Sequence, residues 1–305
     1  MNVFKVSAFC VLAGAMVACT SNNDGTLVTP DPVAGFRYVN LVADTGAMDF
    51  RIIDVVTNAP NQVSATFRTG GNPGGASANG FLPPYQAVLA DGTPRHVRVF
   101  MSGTTAAIAS TIMFDTTFTF TPGSNYTMFL FGYARTGQGG LKAIITSDVV
   151  PTLAAGQFAV RVVHLAPTVA PSLAATRVDV FVDTLAAAAT PVGTAQFANV
   201  AFGEVRAYLA RTARVAVATP APGVPALNYR AAYTATGTLT PFVQGDVPNG
   251  STGTSTVNPI AGDLVAGSVF SIVIVPPSVT GSAATAFATP SAIFLVDGQP
   301  PRTAP

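Results

Sequence analysis

The sequence predicts an all-β protein built from two tandem β-sandwich domains that follow an N-terminal export signal. Three observations lead to this prediction. The chain opens with a short apolar run that ends at a cysteine, it continues in short β-branched segments bounded by Gly, Pro, Asn or Asp, and those segments recur in the same order in both halves. No stretch combines the period of an amphipathic helix with a helix cap.

The first residues have the layout of a secretory signal peptide. Lys5 gives a positive start, and the apolar run over residues 6–17 is too short to cross a membrane as a helix. The following Met16-Val17-Ala18-Cys19 resembles the lipobox of bacterial lipoproteins. That resemblance implies cleavage between Ala18 and Cys19, and acylation of Cys19. An ordinary signal peptide with an incidental cysteine is the alternative.

The resulting domain layout has four parts. We expect a lipoprotein signal peptide over residues 1–18, a flexible tether over 19–33, a first sandwich over 34–150 and a second over 157–300. In enteric lipoproteins a residue such as Thr20 after the cysteine favours the outer membrane. Periplasmic and surface-facing orientations both stay open.

Composition excludes several classes of protein. The chain has 305 residues, a formal net charge of +1 and only 10% charged residues, so nothing predicts nucleic-acid binding. Of its two cysteines, Cys10 lies in the signal, which leaves Cys19 alone in the mature chain and permits no intramolecular disulfide. After the signal, no apolar run is long enough for a transmembrane helix.

The internal repeat predicts two copies of one domain. The pairs of similar segments are FRYVNLV from Phe36 with VRVVHLA from Val160, MDFRI from Met48 with VDVFV from Val178, FLPPYQAVLADGTPRHVRVF from Phe81 with AFGEVRAYLARTARVAVA from Ala201, and SNYTMFLFG from Ser124 with GSVFSIVIVP from Gly267. The third pair predicts strands at 97–99 and 215–217. The short strands and frequent turns are typical of a sandwich of the immunoglobulin-like type.

The second half also resembles a known family, the bacterial domain of unknown function 4397. The residues that carry the resemblance are Arg161, Val162, Val163, His164, Pro167, Val178, Asp179, Val180, Val182, Asp183, Asn199, Val200, Phe202, Gly203, Val205, Tyr208 and Leu209. The sequence departs from the family at Ala166, where the family has Ser. The first half reads as a diverged copy, with Asn40 in the place of His164 and Pro83-Pro84 in the place of Gly203-Glu204. The resemblance implies a β-sandwich outside the cytoplasm, and it brings no accepted activity or catalytic residues.

Few residues qualify for chemistry. His164 is expected to be a hydrogen-bonded histidine on the polar face of a strand, because no G-x-S-x-G elbow accompanies it. Asp179 and Asp183 lie four positions apart on one strand and therefore share a face, where they cap turns or meet solvent. These three are the candidate binding residues. We expect no catalytic residue, no metal site and no cofactor.

The function expected from these features is a membrane-anchored, non-enzymatic binding or adhesion module of the cell envelope, with a protein or glycan partner. A structural subunit of an envelope complex is the alternative. A hydrolase that uses carboxylates such as Asp179 and Glu204 is less favoured. Two polar, Gly-rich segments, 57–80 and 236–267, are long enough to be binding loops, although disorder or plain decoration is favoured.

Overall fold

A computed structural model describes most of the chain after the predicted tether. The described residues are 30–52, 67–68, 85–103, 105–135, 139–166, 177–185, 189–215, 227–254, 256–283 and 289–300. Ala18 and Cys19 lie outside them, and so does the Gly-rich segment 57–80 except for residues 67–68. Within these ranges no helix is long and apolar enough to span a membrane.

The described chain is almost entirely β-structure, which confirms the predicted fold class. The first half contains β1 (Val33–Val42), β2 (Met48–Ile52), β3 (Phe67–Arg68), β4 (Gln86–Leu89), β5 (Arg95–Met101), the short α1 (Ala106–Ala109), β6 (Ile112–Phe118), β7 (Asn125–Gly132) and β8 (Leu141–Ser147). The second half contains β9 (Gln157–His164), β10 (Arg177–Leu185), β11 (Phe197–Ala201), β12 (Leu209–Thr212), β13 (Asn228–Ala235), β14 (Pro241–Asp246), β15 (Val269–Val275) and β16 (Ser291–Gly298).

The two halves repeat the same strand order. One sheet of each half runs β4-β1-β7-β8 or β12-β9-β15-β16, and the other runs β3-β2-β5-β6 or β11-β10-β13-β14. In each half the first strand pairs in parallel with the seventh, while the other strand pairs are antiparallel. The first half therefore has the same strand topology as the second.

Alternation along the strands builds one core inside each sandwich. On β1, Phe36 and Tyr38 point into the first core, and on β9, Phe158, Val160 and Val162 point into the second. Both strands are also buried on their opposite faces. Strands covered on both sides read as nearly continuous apolar runs, as these do.

A third apolar layer lies between the two sandwiches. It combines residues of β1 and β7 with residues of β9, β15 and β16: Val39, Leu41, Phe129, Phe131, Val163, Leu165, Val273, Val275, Ile293 and Leu295. The described residues from Pro32 onward consequently form a stack of four sheets with three apolar layers, in which β4-β1-β7-β8 and β12-β9-β15-β16 are the two inner sheets.

Equivalent strands of the two inner sheets, such as β1 and β9, run in the same direction, which gives the stack two distinct ends. At one end β1 and β9 begin, and Arg161 binds Asp148, the residue after β8. At the other end, beyond the last residues of β1 and β15, Val279 N–H donates to Ala43 O at 2.8 Å. We name these the proximal end, where the chain enters β1 at Val33, and the distal end.

The structure corrects three details of the predicted repeat. The prediction of a strand at 215–217 is wrong for Val215, the one residue of that range that the structure describes. Val215 lies outside any strand and is 85% exposed. The counterpart of β5 is instead β13. The segment 236–267 is not one long loop, since it contains β14 and a hairpin closed by the bridge between Ser251 and Ile260.

The alignment before β4 also shifts by three residues. Phe36 pairs with Gln86, and Val160 pairs with Leu209. Because Phe36 and Val160 are equivalent, Tyr85 is the counterpart of Tyr208. Pro83-Pro84, which the sequence comparison aligned with Gly203-Glu204, lie outside the described residues.

Candidate functional site: a charge cluster and a cleft between the halves

Two arginines lie within the apolar layer that joins the sandwiches. Arg37 on β1 is 1% exposed and Arg161 on β9 is 3% exposed. Each follows a residue that points into its own sandwich core, so the alternation of the strand directs the arginine to the opposite face, toward the other half. A buried guanidinium must be paired and hydrogen-bonded to be tolerated.

Arg37 uses its whole guanidinium. Nη2 donates to a carboxylate oxygen of Asp297 in the second half, and Nη1 donates to Val296 O at 2.7 Å. Nε donates to Thr127 Oγ1 at 2.6 Å, within the first half.

Arg161 repeats this arrangement in the opposite sense. Nη2 donates to Asp148 and Nη1 donates to Ser147 O at 3.3 Å, both at the end of the first half. Nε donates to Ser271 Oγ at 2.6 Å, within the second half. The two arginines are thus related by a pseudo-twofold axis, and each crosses to the carboxylate of the other half.

Hydroxyl groups donate further hydrogen bonds to both carboxylates. In the first half, Thr127 Oγ1 and Tyr85 OH both donate to Asp148 Oδ2, the tyrosine at 2.7 Å. In the second half, Ser271 Oγ donates to Asp297 Oδ2 at 2.6 Å. Tyr208 OH donates to the same oxygen at 2.9 Å.

The tyrosine rings also support the arginines. Arg37 Cζ lies 4.7 Å from the centroid of the Tyr85 ring, and Arg161 Cζ lies 4.7 Å from that of Tyr208. Such cation–π contacts strengthen when the groups are removed from water. We refer to these eight residues as the charge cluster: Arg37, Tyr85, Thr127, Asp148, Arg161, Tyr208, Ser271 and Asp297.

The surroundings shift the pKa values of the cluster in directions that keep its hydrogen bonds. Burial acts to lower the pKa of Arg37, but Asp297, Tyr85 and Asp148 outweigh it and raise the pKa. Arg161 behaves in the same way, with Asp297, Tyr208 and Asp148 opposing burial. Burial raises the pKa values of Tyr85 and Tyr208, so both phenols stay protonated donors at neutral pH.

A cleft lies beside the cluster, on the seam between the halves. It has a volume of about 440 Å³ and is lined by Thr146, Ser147, Val149, Pro151, Arg161, Val205, Arg206, Ala207 and Tyr208. Arg206 Nη2 donates to Ala198 O at 3.0 Å and Asn199 O at 3.2 Å, which holds the guanidinium at the wall. The lining mixes apolar and polar groups, as ligand sites at domain interfaces do.

Residues 34–173 match the family model described as "Domain of unknown function (DUF4397)". The DUF4397 match spans β1 to β9 and includes five members of the charge cluster: Arg37, Tyr85, Thr127, Asp148 and Arg161. Its description assigns no activity. No curated protein matched the chain.

His164 lies inside the DUF4397 match, at the end of β9. Its exposed fraction is 0%, so its side chain is buried. Its main chain holds the following turn, since His164 N–H donates to Glu204 O at 3.1 Å and Gly203 N–H donates to His164 O at 2.7 Å. The ring packs edge-to-face on Phe202, with centroids 6.0 Å apart. In this structure the imidazole is closed off from any ligand in solvent.

The two aspartates lie beyond the DUF4397 match, on the outer face of β10. Asp179 Oδ1 accepts from Asn199 N–H at 2.6 Å and Oδ2 accepts from Gly237 N–H at 2.8 Å. It thereby caps two turns at once. Asp183 Oδ1 accepts from Thr184 N–H at 2.8 Å and lies 3.4 Å from Arg211 Nη2.

Glu204, the other carboxylate of the hydrolase alternative, is engaged in its own turn. Its Oε2 accepts from Ala201 N–H at 2.7 Å, and its Oε1 lies 3.1 Å from Arg206 Nε. Both carboxylates of that alternative therefore stabilise turns. Within the described ranges, no group of three or more His, Cys, Asp or Glu residues is placed to hold a metal ion.

Sequence reasoning missed the charge cluster, although one signal for it was available. The repeat aligns Arg37 with Arg161, and each is a single cation inside an apolar strand. A buried cation demands a carboxylate, and Asp148 and Asp297 follow the apolar part of the last strand in each half. The sequence did not reveal that the partners are exchanged between halves.

Proposed function

We propose that this chain is an exported, lipid-anchored protein of the bacterial cell envelope that binds a partner and catalyses no reaction. The observation that supports this best is the charge cluster. Its buried arginines, carboxylates and hydroxyls bind one another, so the polar interior serves to hold two sandwiches in one rigid unit. Recognition is then left to the surface loops and the seam cleft.

The anchor in this proposal is Cys19, which carries acyl chains and becomes the first residue when the signal peptide is cleaved between Ala18 and Cys19. Acyl chains on one cysteine hold a protein on a membrane stably when two or more are present. Thr20 supports sorting to the outer membrane. The partner we propose is an envelope protein or glycan.

We further propose that the second half is another DUF4397 copy. The equal strand order of the halves supports this, as does the equivalence of Arg37 with Arg161. A duplicated domain packed against its copy gives a stiffer support than two domains on a flexible linker.

Fatty-acid labelling tests the anchor. Cells that express the chain are fed an alkyne fatty acid, and the protein is isolated and probed for the label. We expect labelling of the parent and of Cys10→Ala, whose altered cysteine lies in the signal, and none of Cys19→Ala. Labelling that survives Cys19→Ala contradicts the proposal.

An epitope inserted beside Gly237, in the distal turn between β13 and β14, tests which side of the outer membrane the protein faces. Antibody binding to intact cells places the protein on the surface and directs the search to external ligands. Binding only after the outer membrane is opened places it in the periplasm, which excludes adhesion to external partners.

A role as a structural subunit of an envelope complex is the second candidate. The low charge of the chain, 10%, favours it, because charged residues are depleted where proteins bury surface against each other. Extraction in mild detergent followed by measurement of the native mass separates the two. A monomer supports the binding module, whereas a large assembly of fixed composition supports the subunit.

A further inference from the structure

Exposed aliphatic side chains are concentrated at the proximal end of the stack. Among the described residues, thirteen large hydrophobic side chains are exposed. Eight of them lie at the proximal end: Val33, Leu89, Val149, Val150, Val215, Leu227, Val257 and Ile260. Four lie at the distal end: Met101, Ile108, Ile112 and Leu239. Val192 belongs to the loop after β10.

The first half supplies four of the proximal residues. Val33 and Leu89 are directly opposite each other at the ends of β1 and β4. Val149 and Val150 follow Asp148, whose N–H donates to Asn125 O at the start of β7. These side chains therefore lie at the end of the stack where the chain enters the fold.

The second half supplies the other four. Val215 follows Arg214, whose Nη1 donates to the carbonyl of Leu227 at 3.0 Å. Val257 and Ile260 belong to the hairpin between β14 and β15, and the segment after that hairpin reaches the start of β9, where Gly267 N–H donates to Gln157 O at 2.7 Å. The exposed fractions are large, at 85% for Val215 and 59% for Val257.

Several charged groups at this end are neutralised by one another. Arg95 Nη2 lies 2.7 Å from Asp91 Oδ2, and Arg214 Nε lies 2.7 Å from Asp263 Oδ2. Arg230 Nη2 likewise lies 2.6 Å from Asp246 Oδ1. Paired charges cost less than single ones when a surface leaves water, and they create no attraction to a charged partner. The proximal end is thus suited to an apolar or zwitterionic surface.

The chain upstream of β1 indicates which surface that is. Thirteen residues lie between Cys19 and Val33. The flexible tether expected from the sequence would have a root-mean-square span of about 20 Å and would reach about 50 Å when fully extended. An acyl anchor on Cys19 would therefore keep the proximal end next to the lipid and the distal end away from it.

We propose that the proximal end of the stack docks on the lipid surface, with its aliphatic side chains in the interfacial region of the membrane. This inference rests on the proposed lipid anchor. Docking would turn the tethered stack into an oriented one, with the distal loops of both halves directed away from the membrane.

Single tryptophans provide the test, because the chain has no tryptophan of its own. Leu89→Trp and Val257→Trp report on the proximal end, while Ile108→Trp and Leu239→Trp are matched distal controls with similar exposure in the parent. Each variant is made in the full chain with Cys10→Ser and coupled through Cys19 to a maleimide lipid. The probe is a vesicle of phosphatidylcholine with brominated acyl chains, which quench nearby tryptophan.

We expect the proximal tryptophans to lose fluorescence and shift to the blue on brominated vesicles, and the distal ones to keep the spectrum they have in solution. Added anionic lipid should change neither result. Proximal tryptophans that remain unquenched, or equal quenching at all four positions, overturn the docking. Denaturation midpoints confirm that the variants fold. Because the lipid is attached chemically, the result does not depend on natural acylation, which the labelling of Cys19 tests separately.

Discussion

Arg37 and Arg161 occupy equivalent positions on β1 and β9, and each binds the carboxylate of the opposite half. Arg37 pairs with Asp297 and Arg161 with Asp148, and both pairs are removed from water. This exchange ties the first half to the second through bonds that neither half can make alone. Several measurable properties depend on it.

Loss of one arginine should destabilise the protein strongly. In Arg37→Ala a buried carboxylate, Asp297, loses its nearest cation and keeps Arg161 Nε at 3.7 Å, and breaking a buried pair typically costs about 3–5 kcal/mol. Arg161→Ala should have an effect of the same size because of the pseudo-twofold symmetry. Urea denaturation followed by circular dichroism measures both.

The exposed Arg177 serves as the control for that pair, because Arg177→Ala should shift the free energy of unfolding by less than about 0.5 kcal/mol. A small effect of Arg37→Ala would show that the exchanged pairs do not hold the halves together.

The hydroxyl groups of Thr127 and Ser271, each of which bonds an arginine and a carboxylate, should also be required for full stability. Thr127→Val removes a group that accepts from Arg37 Nε and donates to Asp148, at an expected cost of about 1–3 kcal/mol. Thr127→Ser installs the residue that the second half uses at Ser271 and should be nearly neutral. If both variants lose equal stability in denaturant titrations, then packing of the methyl group and not the hydroxyl is responsible.

The two halves should unfold as a single cooperative unit. They share the apolar layer that contains Val39, Phe129, Val163 and Val273 as well as the exchanged ion pairs. Differential scanning calorimetry should give one transition, with calorimetric and van't Hoff enthalpies in agreement. Two resolved transitions in the parent protein would contradict this coupling.

Stability should decline in alkaline solution. Burial raises the pKa values of Tyr85 and Tyr208 in the folded protein above the value of about 10 in the unfolded chain. The stability that these phenols contribute is therefore complete below pH 10 and is lost as the pH rises beyond it. Urea midpoints measured between pH 8 and pH 11 should fall.

The double variant Tyr85→Phe/Tyr208→Phe provides the comparison for this pH series. It should start lower at pH 8, because two hydrogen bonds are missing, and it should lose less than the parent on the way to pH 11. Equal pH dependence in both proteins would assign the alkaline loss to other groups, such as the buried Tyr38 and Tyr233.

Asn199 should tolerate glycine and reject β-branched residues. Its φ of 57° places it in the left-handed region, and among the described residues it is the one non-glycine there. Asn199→Val should cost about 1–2 kcal/mol, whereas Asn199→Gly, which keeps the N–H bonded to Asp179, should be nearly neutral. Thermal melts of the two variants measure the difference, and equal melting temperatures would refute the backbone argument.

Much of the fold follows from local patterns in the chain. Alternating, β-branched segments such as those around Val178 and Val180 predict strands because successive side chains must face opposite sides. The repeat of FRYV and VRVV predicted two like halves, and the β-structure is confirmed. The errors fall where local signals are weak. β13, NYRAAYTA, is rich in alanine, and its strand conformation is stabilised by Tyr229 and Tyr233 packed in the core.

The charge cluster and the four-layer stack depend on contacts that no local pattern encodes. Period-two alternation assigns Arg37 and Val39 to one face of β1, but it does not say what covers that face. That face is covered by residues of the second half such as Asp297, which is 260 positions away from Arg37 in the sequence. Burial by the second half removes water from that face, so each charge on it must be paired, and the pairing carboxylate lies in the other sandwich.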